Sequence, residues 1–294
     1  MDRTPARWGR VSWALLALTL AGCGSSPASP TAALSAPTPS AGSTASAGST
    51  ASAGSTASAG SSPTAEPSPT PTPVPVAATV TTAKVTESGS SGICRDWKVT
   101  FSKPVVSGWP AEASDAVNQA IDARVQSYVD GFKNAMSVGG GGSGACTLTG
   151  GYAATFNTTT LLSLRLTTVE YLGGASTSTI PGSLNFTTAG TAISLADLFT
   201  GPAAGATRLS TESRTRLAAL LGPHGVDSSW INPGTTASLS NFEAAWCVTA
   251  DGLELTFAEL QVAPHSEGTP RIVIPWPSLS SVLSPGGPAG QFMS

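Results

Sequence analysis

Gly150-Gly-Tyr-Ala-Ala-Thr-Phe-Asn-Thr-Thr-Thr-Leu-Leu-Ser-Leu-Arg-Leu-Thr-Thr-Val-Glu-Tyr-Leu172 decides the fold class. Tyr152, Ala154 and Phe156 alternate along its first half. After the polar Asn157 to Thr160, Leu162, Leu164 and Leu166 alternate against Ser163, Arg165 and Thr167. A period of two is the signature of a strand with its two faces in different surroundings. The stretch therefore reads as two adjacent antiparallel strands with one face buried.

Working outward, Cys94 to Phe101 and Cys146 to Asn157 are strand-like runs, and Val76 to Thr86 is a further strand rich in Val and Thr. Ser107-Gly108-Trp109-Pro110 forms a turn. Val117, Ile121, Val125, Tyr128 and Phe132 then recur at spacings of four, four, three and four, the stripe of an amphipathic helix. Pro110 stands ahead of its first turn, and Gly139 to Gly144 end it in a loop. Downstream, Gly173-Gly174 breaks the strand and Ser183 to Thr187 resumes it. Ser194 to Phe199 reads as a helical turn. A second helix follows from about Thr207 to Leu221, with Gly222 as its stop. Phe242 to Thr249 and Leu253 to Phe257 form a hairpin turned at Asp251-Gly252, and Arg271 to Trp276 is the last strand. The expected fold is α+β: one domain over 77–294, with antiparallel sheets packed by two main helices.

The chain before that domain is of another kind. Arg3, Arg7 and Arg10 precede an apolar run from Val11 to Leu20, and Leu20-Ala21-Gly22-Cys23 follows. Ten apolar residues are too few to cross a bilayer, for which about 20 are needed. The pattern is that of a processed signal. It resembles a bacterial lipoprotein signal peptide over residues 1–22, which implies lipid on Cys23. That would attach the protein to the outer face of the cytoplasmic membrane, within the cell envelope. From Cys23 to about residue 76 the sequence is almost entirely Ser, Thr, Ala, Gly and Pro, with Gly-Ser-Thr-Ala-Ser-Ala repeated through residues 42–59. Glu66 is its one charge and it has no aromatic residue. Nothing there offsets the entropy of ordering, so a disordered tether is expected. All eight Phe and all three Tyr lie in 77–294, enough for one domain with a real core.

Of the chain's 14 Lys+Arg and 17 Asp+Glu, a cleaved signal would take three Arg and Asp2, leaving 11 against 16 and a formal charge of −5. An acidic balance argues against nucleic acid as a partner. With Cys23 assigned to lipid, Cys94, Cys146 and Cys247 remain in a compartment where disulfides persist. Spacing leaves three pairings open. Cys94 and Cys146 each open a strand-like run whereas Cys247 sits inside one, so a Cys94–Cys146 bond and a buried free Cys247 thiol are expected.

Three stretches carry a family likeness. They are Glu170-Tyr171-Leu172-Gly173-Gly174-Ala175 with Gly182-Ser183-Leu184-Asn185-Phe186, then Ile193-Ser194-Leu195-Ala196-Asp197-Leu198-Phe199, and a third set. The third set is Gly252-Leu253-Glu254-Leu255-Thr256-Phe257, Gln261-Val262-Ala263-Pro264, Gly268 and Ile272-Val273-Ile274-Pro275-Trp276. Together with Val117-Asn118-Gln119-Ala120-Ile121, in this order over about 95–283, they resemble an extracellular domain long called a domain of unknown function. RsiV, the N-terminal part of the deacetylase PdaC and secreted mycobacterial immunogenic proteins share that domain. Two departures stand out: Ser176 replaces a histidine usual after Gly-Gly-Ala, and Leu260 replaces an aromatic usual before Val-Ala-Pro. The resemblance implies the fold before any activity.

No catalytic, metal or cofactor site is expected. His224 and His265 are the only histidines. His265-Ser266-Glu267 is not a triad, because side chains adjacent in sequence rarely converge. Asp251 with Glu254, and Glu243 with Glu259, are the carboxylate pairs a glycosidase would need, but their strand and hairpin positions read as solvated faces. Trp246 and Trp276 read as core, Trp109 and Trp230 as surface.

The expectation is a lipid-anchored, non-catalytic binding or sensing domain. RsiV-like domains imply a protein ligand such as lysozyme; a cell-wall glycan is the other candidate. An anti-sigma role is not expected, since nothing precedes the signal and no spanning helix follows it. The alternative class is an enzyme or accessory protein acting on peptidoglycan. The candidate ligand residues are Tyr171, Gly173, Gly174, Ser176 and His265. They lie in loops 171–179 and 261–268, whose flanking strands are expected to meet in one sheet.

Overall fold

The computed structural model describes residues 76–91, 94–138 and 144–293. The signal segment, Cys23 and the Ser/Thr-rich stretch up to Pro75 lie outside these residues, as does the glycine run at 139–143. Five strands form the first sheet: β1 (Thr79–Gly89), β2 (Trp97–Ser107), β3 (Cys146–Asn157), β4 (Leu161–Tyr171) and β5 (Ser178–Thr187), paired in that order. Helix α1 (Ala111–Val138) connects β2 to β3. Its buried stripe of Val117, Ile121, Val125, Val129 and Phe132 lies among Phe101, Leu148, Leu162, Leu164 and Phe186 of the sheet.

β2 and β3 run parallel, from Trp97 opposite Cys146 to Phe101 opposite Gly150. This departs from the purely antiparallel expectation. A 28-residue helix is the kind of crossover that lets consecutive strands pair in one direction. The same geometry puts both strand openings at one end of the sheet. Cys94 and Cys146 are accordingly bonded, with Cα atoms 5.6 Å apart, and Cys247 is free and buried.

The second half of the chain builds a second layer. A 3₁₀ turn at Leu195–Leu198 leads to α2 (Pro202–Leu221) and the short α3 (Ser228–Gly234). The three-stranded sheet is β6 (Trp246–Val248), β7 (Gly252–Thr256) and β8 (Arg271–Pro275), followed by α4 (Trp276–Leu279). Helix α2 begins five residues before the expected start, with Pro202 in its first turn, because proline's missing N–H costs nothing there. Gly222 caps it after Leu221, as expected, though not by a left-handed turn. Gly222 keeps right-handed helical angles, and the chain reverses only after one 3₁₀ turn at Gly225, φ +81°. On the hairpin, Trp246, Val248, Leu253, Leu255, Ile272 and Ile274 share one face with Leu209, Leu217 and Leu221 of α2.

The expectation of one buried face on β4 is also overturned. Leu162, Leu164 and Leu166 are buried as expected, and so are Leu161 and Ser163 on the opposite face, because the second sheet covers it. β6 is an edge strand whose outer N–H and C=O groups would be orphaned on burial. Side chains of the first sheet supply the missing ladder. The Ser163 hydroxyl accepts from Val248 N–H (3.0 Å) and the Ser183 hydroxyl from Trp246 N–H (3.0 Å). Asn185 Nδ2 donates to the Trp246 carbonyl (3.1 Å), and the Thr155 hydroxyl donates to that of Val248 (2.9 Å). Ser163 also donates to Asn185 Oδ1 at 2.5 Å. No helix among the described residues is long and apolar enough to cross a membrane.

Candidate functional site

Period-two alternation sends Arg165 and Thr167 to the same face of β4 as Ser163, toward the second sheet. β6 is only three residues long, so the side-chain ladder ends there and the two sheets part. The resulting cleft has a volume of about 420 Å³, with Arg165, Thr167 and Thr179 on one wall and Thr256, Thr269 and Arg271 on the other. Both arginines turn to Glu254, only 7% exposed, which receives Arg165 Nη1 at 2.6 Å, with Arg271 Nε at 3.7 Å. A carboxylate removed from water needs such a partner. The solvated-face reading of Glu254 is therefore wrong: the covering sheet buries it 89 residues away in sequence from the arginine that neutralises it.

Glu259 joins the two candidate loops. Its carboxylate accepts the Thr179 backbone N–H at 2.7 Å and lies 3.1 Å from His265 Nδ1. Loops 171–179 and 261–268 thus meet, though not within one sheet as expected. β5 belongs to the five-stranded sheet and β8 to the three-stranded one, and a side-chain bridge does the joining. Tyr171 ends β4 half-buried, Gly173 takes the left-handed φ of +77°, and Gly174 and Ser176 are exposed, as is His265. Beside Glu259, Leu260 has φ +64° and is 61% exposed, the one non-glycine residue with positive φ among those described. Such backbone is costly for a side chain larger than Asn, and costs of this kind concentrate at ligand-contact segments.

His265, Ser266 and Glu267 do not converge. They occupy a 3₁₀ turn in which His265 faces Glu259, while Glu267 reaches His224 Nδ1 at 2.7 Å. Glu243 and Glu259 do not share a site either. Glu243 lines a separate pocket with Arg124 and Trp246, whereas Glu259 is held at the loop junction. Among the described residues no three His, Cys, Asp or Glu side chains are grouped to hold a metal. Trp246 and Trp276 are core and Trp230 is 42% exposed, as read from the sequence. Trp109, expected at the surface, is buried and donates from Nε1 to the Val76 carbonyl at 3.1 Å.

Burial pushes the Cys247 thiol up to about 12, and the nearby Glu254 carboxylate adds to the effect. Unfolded, the thiol ionises near 8.5. The folded protein thus keeps a proton that the unfolded chain releases, so this contribution to stability is intact below about pH 8.5 and declines as pH rises toward 12. Alkaline unfolding of Cys247→Ala compared with wild type, each normalised to its stability at pH 7, should show a shallower decline for the variant. Equal slopes would contradict the burial. Native Cys247 should also resist alkylation, since the thiolate is the nucleophile.

A five-stranded sheet backed by one helix, and a three-stranded sheet backed by another, define an α+β domain with a polar cleft between its sheets. Residues 196–277, which span α2 and the second sheet, match the family model described as protein of unknown function (DUF3298). Two solved structures of that family have the same fold. One, from Pseudomonas aeruginosa PAO1, aligns with 14% identity over 72% of this chain and 96% of its own, with a TM-score of 0.50. Another, from Bacteroides fragilis NCTC 9343, aligns with 17% identity over 75% and 98%, with a TM-score of 0.51. No curated protein matches significantly. The residues outside the sequence's reach were Arg165, Arg271 and the bridging role of Glu259. Arg165 was visible only as one polar position in an alternating strand, and nothing in a period of two names the partner across the sheets.

Proposed function

We propose that this chain is a lipid-anchored, non-catalytic binding or sensing protein of the bacterial cell envelope. Cys23 carries the anchor, residues 24–76 are the tether, and 77–294 is the RsiV-type binding domain. Its ligand is a protein such as lysozyme or a cell-wall glycan, and Tyr171, Gly173, Gly174, Ser176 and His265 contribute to the contact surface. The observation that carries this reading is the Glu259 bridge. It gathers two exposed loops beside an open cleft, while both histidines are paired with glutamates rather than with a nucleophile.

The test uses the full chain on cells and after detergent extraction. Cys23→Ala should leave the membrane fraction, because the lipid is the anchor in this reading. Retention of a mature-sized Cys23→Ala protein in membranes would refute the anchor. Capture assays with lysozymes and cell-wall fragments should recover a ligand with wild type. The folded double variant Ser176→Arg, His265→Arg should bind at least tenfold less, as expected when bulky charge enters a contact centre. Undiminished capture by the double variant would move the site, and hydrolysis of cell-wall polymer by the purified chain would favour the peptidoglycan-enzyme reading.

A further inference from the structure

We propose that the cleft between the two sheets binds a carboxylate borne on a small hydroxylated molecule, of the sugar-acid or hydroxy-acid class. This deepens the non-catalytic binding reading and rests on it. The cleft carries more donors than the protein satisfies. Arg165 is committed to Glu254 at 2.6 Å, but Arg271 Nε stands 3.7 Å from the same carboxylate, beyond hydrogen-bond reach. Two guanidinium groups thus face one buried carboxylate, and only one of them is hydrogen-bonded to it. The Arg271 side chain is 48% exposed, so its fork is open to an incoming anion.

The remaining lining fits the rest of such a ligand. Thr167, Thr179, Thr256 and Thr269 present hydroxyl groups, none of which has a hydrogen-bond partner among the described residues. Each can donate once and accept twice. Pro181 is the apolar side chain on the cleft's face of the sheet, with no aromatic ring on which a flat acid would stack. At about 420 Å³ the volume falls within the range of small-molecule sites, roughly 300–1,000 Å³. The carboxylate is favoured over phosphate on charge, since Glu254 stands beside the two arginines and Glu259 at Thr179, and both disfavour a dianion. The open Arg271 guanidinium can hold a carboxylate through two parallel N–H···O bonds. No lysine or glycine nest lines the cleft to hold a dianion. Glu259, the other carboxylate at this end, already receives the Thr179 N–H and faces His265.

The geometry also separates this site's chemistry from its scaffold. Arg165 holds a buried partner, so its removal would disturb the fold. Arg271, half-exposed and 3.7 Å from Glu254, and Thr167 make no hydrogen bond to a buried group, so they are the positions to change.

The experiment titrates the full chain with D-glucuronate, with D-glucose as the neutral match and inorganic phosphate as the competing oxyanion, followed by calorimetry and by amide chemical shifts. Glucuronate should bind and shift the amides of Thr167, Thr179, Thr256 and Arg271. Glucose should bind at least tenfold more weakly. Arg271→Gln should weaken glucuronate binding by about tenfold or more, the usual worth of a hydrogen bond to a charged group, while amide shifts remote from the cleft stay native. Thr167→Val, equally folded, should weaken it by a smaller factor. Absence of glucuronate binding to wild type, equal binding by Arg271→Gln, or tighter binding of phosphate would each overturn the proposal. If glucuronate fails while ligand capture still depends on Ser176 and His265, the cleft assignment alone is wrong. If capture fails as well, the binding reading falls with it.

Discussion

Cys94→Ser and Cys146→Ser should each lower the unfolding free energy by about 4 kcal/mol, the chain-entropy value for a loop of this length. The bond spans a sequence separation of 52. Both sulfurs are fully buried, packed with Phe132, Met136 and Leu148, and the two strand openings are also tied by a Cys146 N–H to Asp96 carbonyl hydrogen bond at 2.9 Å. Serine at either position leaves that native framework in place. The loss therefore arises mainly in the unfolded state, which gains the freedom the crosslink denied it. Two signatures follow. The two variants should be destabilised alike, and the denaturant dependence should steepen, because an uncrosslinked chain exposes more surface. Cys247→Ser opens no loop and should leave that dependence unchanged. Urea unfolding in which either of the first two variants loses less than about 1 kcal/mol would contradict the crosslink's contribution.

What the sequence revealed and what it withheld divide along one physical line. Alternation within one strand is local, so Cys146 to Asn157 was legible to its ends and the burial of Leu162, Leu164 and Leu166 was foreseen. The helix stripe from Val117 to Phe132 was equally plain. Partner identity is not local. The parallel pairing of β2 with β3 depends on where α1 delivers the chain, and the second buried face of β4 depends on a hairpin some 80 residues later. Ser163 and Glu254 looked like solvent-facing residues because polar side chains read alike whether water or another strand's backbone satisfies them. Trp109 failed for a related reason: a loop context suggested exposure, but its indole nitrogen had a carbonyl to meet at Val76. The early start of α2 was readable from Pro202. The helix stop at Gly222 was readable too, but not that the left-handed turn comes three residues later, at Gly225. The candidate loops were found from their glycines and their order in the chain. Their bridge, Glu259, belongs to neither loop's pattern.

Ser163→Ala should cost about 3 kcal/mol, far more than the few tenths usual for an exposed serine. Its hydroxyl accepts from Val248 N–H and donates to Asn185 Oδ1, and it is fully buried. Removing it strands a buried backbone donor and frees an amide oxygen, each costing about 1–3 kcal/mol. Asn185→Ala should cost a similar amount by orphaning the Trp246 carbonyl. Because the two side chains share a hydrogen bond, the double variant should lose less than the sum of the singles. Hydrogen exchange locates the damage: protection should fall at Trp246 and Val248, whose N–H groups face the first sheet, and persist at Thr256, which bonds the Ala245 carbonyl within the hairpin. Uniform loss of protection would mean that the ladder is not the seam between the sheets. A cost near 0.5 kcal/mol would mean that water replaces the serine without penalty. The same seam ends beside Arg165 and Glu254, so loosening it should also weaken any ligand held in the cleft, because the two walls are kept in register only where β6 is zipped to the first sheet.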